Sequence, residues 1–208
     1  MEQLVAEESV GLNIDLNHEF VLSGGATLDI NLLLFTTRVD NPLRLVEAGD
    51  QQFAYRQPDD FLETQGAELG VVWRWNDFKY FFGYTHADVQ EHTATRVRMA
   101  PLMPKDRVNN VFVYEREDDF RIGLEAYYYG RQGLTDDSMS RDFWIFGLMM
   151  EKTIDEDFSI FLNFENFSDT RQTRFGSIYT GSRLNPIFAD IFAPLDGSVI
   201  NGGVKIRL

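Results

Sequence analysis

Few side chains in this sequence have the types and spacing that a catalytic or metal site needs. The chain contains three histidines, His18, His86 and His92, and no cysteine. The histidines lack the spacing of metal ligands, and the absence of cysteine removes thiolate ligands and thiol nucleophiles. Ser138 or Ser140 could join His92 and a loop aspartate in a hydrolytic triad, but nothing in their spacing supports one. We therefore predict no enzymatic activity, no metal site and no cofactor.

The sequence offers more candidate residues for ligand binding than for catalysis, because aromatic and arginine side chains occur in its irregular stretches. Aromatic rings stack on sugars and chelate rings, and arginine pairs with carboxylates. On this basis the candidate ligand-binding residues are Phe53, Tyr55, Arg56, Tyr129, Arg131, Arg174 and Tyr179. Ordinary packing within loops is the alternative role for each of them.

Composition limits the possible partners. The 208 residues carry a formal net charge of −14, which argues against a nucleic-acid surface, because phosphate binding needs clustered Lys and Arg. The mean hydropathy is −0.26, and no apolar run approaches the roughly 18 residues of a membrane helix. Residues 1–8, MEQLVAEE, lack the basic and apolar regions of a secretory signal.

In the elements that must position these residues, apolar side chains recur with a period of two, which is typical of β-strands. In the first strand, Val10, Leu12, Ile14 and Leu16 alternate with polar residues or glycine. The pattern predicts about nine strands separated by Gly, Asn, Asp and Pro turn signals. They are residues 9–20, 26–39, 63–75, 78–87, 106–115, 120–129, 143–152, 158–167 and 198–208.

The connections between the predicted strands alternate between short and long. The short ones are residues 22–25, 76–77, 117–119 and 153–157, whereas the long ones begin at residues 40, 88, 130 and 168. Outer-membrane barrels have short periplasmic turns and long extracellular loops, and their strands of about ten residues cross the hydrocarbon layer at a tilt. The alternation favours such a barrel over a soluble sandwich.

Across the centre of each predicted strand, charge is confined to one face. The charged residues opposite the apolar stripe are Arg74, Lys79, Arg121, Glu125, Glu151, Glu165, Lys205 and Arg207. Since Lys or Arg facing lipid at midplane costs roughly 2–4 kcal/mol, the uncharged stripe is expected to face lipid. Aromatic residues also gather near the short turns, as in a barrel girdle: Trp73, Trp75, Phe78, Tyr80, Phe112, Tyr114 and Phe120.

The predicted fold is therefore all-β: a transmembrane antiparallel up-and-down β-barrel segment of about nine strands, with short periplasmic turns and long extracellular loops. An odd strand count and two open sheet edges do not suit a complete single-chain barrel. We therefore expect residues 1–208 to be the C-terminal portion of a larger barrel whose upstream strands are missing, with the C-terminus in the periplasm. A soluble sandwich or lipocalin-like barrel, with the apolar face inside, is the alternative.

Three segments resemble a known family. Residues 163–172, NFENFSDTRQ, are similar to a segment near the end of TonB-dependent outer-membrane receptors, particularly those of Bacteroidota. Residues 194–208 resemble their closing strand, and residues 104–109, PKDRVN, resemble a motif that opens a barrel strand. Asp106 stands where that motif commonly has His, and Ser198 where the closing strand commonly has Arg.

The resemblance implies a barrel of about 22 strands around an N-terminal plug, in the bacterial outer membrane. It implies uptake of an iron chelate, cobalamin or glycan with energy passed through TonB, although the chain contains neither plug nor TonB box. Expected partners are outer-membrane lipid, lipopolysaccharide, TonB through the missing upstream parts, a small-molecule or glycan ligand and the barrel-assembly machinery. Val204, Ile206 and Leu208 resemble the C-terminal signal that this machinery reads, or simply face lipid.

Three other functions remain open from the sequence. The first is a small structural or adhesive outer-membrane barrel that closes by self-association. The second is an outer-membrane enzyme, for which no convergent catalytic set is evident. The third is a soluble β-sandwich binding module.

Overall fold

The computed structural model describes residues 4–49, 52–58 and 60–206, which fold almost entirely into β-structure. No helix in this described part is long and apolar enough to cross a membrane. The strands are β1 (Glu8–Val21), β2 (Thr27–Asp40), β3 (Arg44–Gly49), β4 (Gln52–Arg56), β5 (Phe61–Trp75), β6 (Phe78–His92), β7 (Val97–Met99), β8 (Asp106–Arg116), β9 (Phe120–Tyr129), β10 (Phe143–Thr153), β11 (Phe158–Glu165), β12 (Tyr179–Ser182), β13 (Asn185–Phe188) and β14 (Val199–Ile206). Two short 3₁₀ helices cover Ser23–Gly25 and Gln172–Arg174.

The main sheet is an antiparallel meander in which sequence neighbours pair. Its order is β1-β2-β5-β6-β8-β9-β10-β11-β14, and the short β7 pairs with β6. These nine strands in line confirm the predicted up-and-down fold. Within the described residues the sheet does not close on itself, because β1 and β14 each pair with one strand only.

The short turns have residues suited to tight backbone geometry. Asn76 has φ +48° in the turn between β5 and β6, and Asp118 has φ +57° in the turn between β8 and β9. Asn and Asp tolerate this left-handed region better than other non-glycine residues. The structure thus confirms the predicted short connections at one end of the sheet, here called the turn end; the opposite end is the loop end.

The strand register confirms the predicted faces. Phe112 of β8 lies opposite Leu124 of β9, which lies opposite Leu148 of β10, so the three side chains share one face. This apolar face, called the outer face, continues across all nine strands, and the opposite face is called the inner face. On β9 the outer face runs from Phe120 to Tyr128, nine residues that span roughly the 25 Å apolar band of a tilted membrane strand.

The outer face carries the predicted aromatic girdle at the turn end. Adjacent ring centroids lie 6.3 Å apart for Trp75 and Phe78, 4.9 Å for Phe78 and Tyr114, and 5.3 Å for Tyr114 and Phe120. Burial argues against a soluble sandwich, since the only buried hydrophobic residues of the described ranges are Ala26, Ala100, Phe143 and Ala193. The apolar face is therefore not a core packed against a second sheet.

Three regions differ from the sequence-based prediction in extent. The predicted loop after residue 40 contains a hairpin, β3–β4, and the longest predicted loop contains a second hairpin, β12–β13. Strand β6 continues to His92 rather than ending at residue 87, because Asp88 and Gln90 are polar and the apolar alternation stops before the pairing with β5 does. Arg207 and Leu208 lie outside the described residues.

Candidate functional site

The inner face and the loops above it hold the polar groups that could bind a ligand. At the turn end, basic side chains pair with carboxylates on neighbouring strands. Lys79 Nζ lies 2.7 Å from Glu115, and Arg121 Nε donates to the same carboxylate over 2.9 Å. Arg74 also pairs with Asp29, and Lys205 Nζ lies 2.8 Å from Glu151. These residues form a belt of cross-strand ion pairs, here called the turn-end belt.

The middle of the inner face is polar and mostly uncharged or acidic. Asn31 Nδ2 donates to Asp15 over 2.7 Å near the β1 edge. Asn201 Nδ2 donates to Glu165 over 2.6 Å near the β14 edge, and Tyr127 donates to Glu125 over 3.0 Å between them. These amide and hydroxyl partners hold carboxylates on a face that lipid could not cover.

At the loop end, Glu91 connects three elements through its carboxylate. Arg44 Nη1 of the β3–β4 hairpin donates to it over 2.6 Å, and Arg98 Nε of β7 donates over 2.7 Å. Glu91 itself is only 6% exposed. Because a buried carboxylate is stable only with such partners, this cluster fixes the hairpin and β7 to the end of β6.

Two buried glutamines hold the loops at residues 130–142 and 166–198, one within the longer loop and one between the two loops. Gln172 Oε1 accepts hydrogen bonds from the backbone N–H groups of Phe192 and Ala193, over 3.2 and 3.1 Å. Gln132 Nε2 donates to the Phe192 carbonyl over 3.0 Å, which connects the shorter loop to the longer one. Since each amide satisfies backbone groups that would otherwise be unpaired, the loops are held in one arrangement.

Three of the predicted ligand residues, Phe53, Tyr55 and Arg56, lie on β4. Phe53 and Tyr55 point to the same side of the hairpin and are 67% and 63% exposed. Arg56 is also exposed and makes no hydrogen bond or ion pair within the described ranges. These three residues are accessible, and their role in ligand binding stays a prediction.

The other four predicted residues lie in or beside the longer loops. Tyr129 ends β9 on the inner face and stacks on Phe143 with a centroid distance of 5.1 Å. Arg131 Nε donates to the Ser140 carbonyl over 3.1 Å, and Arg174 pairs with Asp169. Tyr179 begins β12 and is exposed. No hydrogen bond, ion pair or ring contact of the described residues joins these four to the three on β4.

Two inner-face residues near Tyr129 were not among the predicted ligand residues. Arg107 lies directly opposite Tyr129 in the pairing of β8 with β9, and Thr85 lies opposite Arg107 in the pairing of β6 with β8. The alternation already indicated that Arg107 faces inward. Sequence alone could not show that Arg107 has no partner among the described residues, because this depends on the register of three strands.

The residues considered for other chemistry are separated in the structure. The Ser140 hydroxyl bonds to the backbone at Gln132 and Arg141, whereas His92 stacks on Phe61 and lies 3.3 Å from Glu63. Within the described ranges, no three His, Asp or Glu side chains form a group that could hold a metal ion.

Val204 and Ile206 lie on the outer face of β14, opposite Ile160 and Phe158 of β11, as the alternation predicted. Their proposed role as an assembly signal stays a prediction, and Leu208 lies outside the described residues.

In the short turn after β8, a hydrogen bond from Lys152 of β10 lowers the pKa of Asp119, so this carboxylate stays charged.

The chain matches the family model described as TonB dependent receptor-like, beta-barrel, over residues 2–167. Three solved structures, each 15% identical to the chain, have a similar fold. They are the copper transporter OprC (TM-score 0.74, 99% of this chain and 32% of that chain), the pyoverdine outer membrane receptor FpvA from Pseudomonas aeruginosa PAO1 (0.62, 96% and 30%) and the ferric-catecholate import receptor Fiu from K12 E. coli (0.61, 95% and 27%). The chain thus spans less than a third of each of these proteins. No curated protein matches the sequence.

Proposed function

Since the chain belongs to the TonB-dependent receptor-like β-barrel family, we propose that it forms part of the wall of an outer-membrane receptor. That receptor takes up a scarce ligand, an iron chelate, cobalamin or a glycan, with energy passed through TonB. The observation that carries the proposal is the contrast between an outer face with no charge across the centre of its strands and an inner face lined by charged and amide side chains. An up-and-down sheet of this kind separates lipid from a wet or protein-filled lumen.

The orientation follows from the two ends of the sheet. The turn end lies in the periplasm, because outer-membrane barrels have short turns there, and the loop end lies outside the cell. Strand β14 then runs towards the periplasm. The outer face contacts lipid, and lipopolysaccharide surrounds its loop end, while Val204 and Ile206 serve the barrel-assembly machinery.

The open edges of the sheet support a larger closed barrel. In the part of the chain that the structure describes, strands β1 and β14 each present a row of unpaired backbone groups, which lipid does not tolerate. Further strands therefore continue the sheet from β1 round to β14. The receptor is not an enzyme, and TonB acts on parts of the receptor outside this sheet.

Uptake assays test the proposal in cells that produce the protein as its gene encodes it. Iron-55 chelates, labelled cobalamin and labelled glycans are supplied to wild-type cells, to cells lacking the gene and to cells lacking TonB. We expect uptake of one ligand to fall to background in both mutants and to return when the gene is restored. Uptake that needs the gene but not TonB would indicate a passive pore, and no change in either mutant would reject the proposed function.

A further inference from the structure

One basic residue of the inner face is unlike the others. The nine strands in line place five described basic residues on this face, namely Arg74, Lys79, Arg107, Arg121 and Lys205. Arg98 of the short β7 also lies on it and pairs with Glu91. Four of the five belong to the turn-end belt and pair with carboxylates. Arg107, near the loop end, makes no hydrogen bond, ion pair or ring contact with any described residue, and its side chain is exposed.

Arg107 lies in a row of three polar side chains that have no hydrogen-bond partner among the described residues. Thr85, Arg107 and Tyr129 are directly opposite one another on three adjacent strands, β6, β8 and β9. Adjacent strands lie about 4.8 Å apart, so the three residues of the row span about 10 Å. The row has one hydroxyl on each side of the guanidinium. Neither hydroxyl has a hydrogen-bond partner in the described ranges. The carboxylate next along this row, Glu68, is two strands from Arg107 and forms no ion pair with it.

An aromatic wall stands on one side of this row. Tyr129 stacks on Phe143 at an interplanar angle of 16°, and Phe143 lies 6.0 Å from Phe175, which lies 5.8 Å from Phe192. The wall therefore extends from the inner face into the long loop. Gln172 and Gln132 bind the backbone at Phe192, so the wall is held in place before any ligand arrives. Such preorganisation reduces the entropy lost on binding.

We propose that Thr85, Arg107 and Tyr129 form a subsite for the oxyanion of a negatively charged ligand that also carries a planar ring. A guanidinium binds two oxygens of an oxyanion at once, and the flanking hydroxyls donate to a third. The half-buried rings of the wall, Tyr129, Phe175 and Phe192, stack on the ring of the ligand, and the buried Phe143 supports them. The ligand class is an anionic aryl chelate, such as an iron(III) complex of catecholate groups. This inference rests on the proposed function and narrows its ligand to one chemical class.

Binding to the protein as its gene encodes it, purified in detergent, tests the subsite. Three probes are compared by fluorescence quenching or calorimetry: an anionic iron(III) tris-catecholate, a neutral iron(III) tris-hydroxamate and cobalamin. Wild-type protein is expected to bind the tris-catecholate most tightly, and higher salt is expected to weaken that binding. Arg107→Gln should weaken it about ten- to a hundredfold, because a charge-assisted bidentate contact is lost. Tyr129→Phe should weaken it several-fold.

Arg116→Gln is the matched control, since Arg116 ends the same strand on the outer face at the turn end and is 64% exposed. It should leave binding of all probes unchanged. Preferred binding of the hydroxamate or cobalamin by wild-type protein would overturn the subsite but leave the proposed uptake function standing. An unchanged Kd for the catecholate in Arg107→Gln would also overturn the subsite. Binding of none of the probes would overturn the subsite, and the proposed uptake function would then be decided by the uptake assay.

Discussion

On the outer face of β8, both polar atoms of the Asn110 side chain form hydrogen bonds. On the inner face of the same strand, Arg107 has no partner among the described residues. Asn110 Oδ1 accepts a hydrogen bond from Tyr80 over 2.6 Å, and its Nδ2 donates to the Ala126 carbonyl over 3.3 Å. Lipid offers no hydrogen bonds, so a polar group facing it must be satisfied by the protein. A lumen offers water or ligand, so a guanidinium there can remain free.

A charge placed at the centre of the outer face should have the largest effect on stability. Leu124 lies between Phe112 and Leu148 on that face and is 47% exposed. Leu124→Arg is expected to lower the free energy of unfolding in lipid vesicles by about 2–4 kcal/mol. Urea titration followed by heat-modifiable gel migration measures this change.

The control for this change is Val111→Arg, on the inner face opposite Glu125. It should cost far less, since the new guanidinium meets a carboxylate in a polar environment. Equal losses in the two variants would show that the faces do not differ in their surroundings.

Removal of a charge from the turn-end belt should have the next largest effect. Glu115→Gln leaves Lys79 and Arg121 close together without their shared carboxylate. The free energy of unfolding is expected to fall by about 1–2 kcal/mol. The loss is small for a group with two ion-pair partners, because the Glu115 side chain is partly exposed. Glu117→Gln, in the exposed turn that follows, is the control, and the comparison fails if the two substitutions cost the same.

The Asn110–Tyr80 hydrogen bond should contribute a smaller amount that depends on both residues. Asn110→Ala and Tyr80→Phe are each expected to cost about 1 kcal/mol, because each leaves one polar group unsatisfied. The double variant should cost less than the sum, since it removes both partners. Additive losses in the same urea titration would mean that this bond contributes nothing on the outer face.

The smallest effect on stability is expected at Arg107. Because this side chain has no described partner, Arg107→Gln should change the free energy of unfolding by less than about 0.5 kcal/mol. Arg121→Gln, which breaks a belt pair, should cost more under the same conditions. A loss for Arg107→Gln that matched the loss for Arg121→Gln would place Arg107 among the structural ion pairs.

The sequence predicted the sheet well because the alternation of side chains has a period of two and the register preserves it. Phe120 to Tyr128 could be assigned to two faces by counting alone, and Asn76 marked its turn by residue type. Where this signal is absent, prediction was less complete. The polar end of β6 beyond residue 87 was missed because the apolar alternation stops there. The hairpins β3–β4 and β12–β13 were missed because their strands have only four to six residues and stand in segments rich in Pro, Gly and charged residues.

The candidate site was predicted only in part for the same physical reason. Residue type pointed to Tyr129 and to the exposed aromatics of β4, but type alone cannot show which groups are already bound. Arg131 and Arg174 bind Ser140 and Asp169, whereas Arg107 has no partner among the described residues. These differences arise from loop geometry and from pairing across several strands, neither of which local sequence specifies.

The central claim, that the outer face contacts lipid, can be tested most directly with tryptophan fluorescence. All three tryptophans of the chain, Trp73, Trp75 and Trp144, lie on the outer face. The receptor is placed in lipid vesicles, and any tryptophans outside this chain are replaced by phenylalanine. Brominated phospholipids should then quench the emission of the three tryptophans strongly, and aqueous acrylamide should quench it only weakly. Strong quenching by acrylamide with little effect of the brominated lipids would contradict the claim, because the apolar face would then be turned away from the membrane.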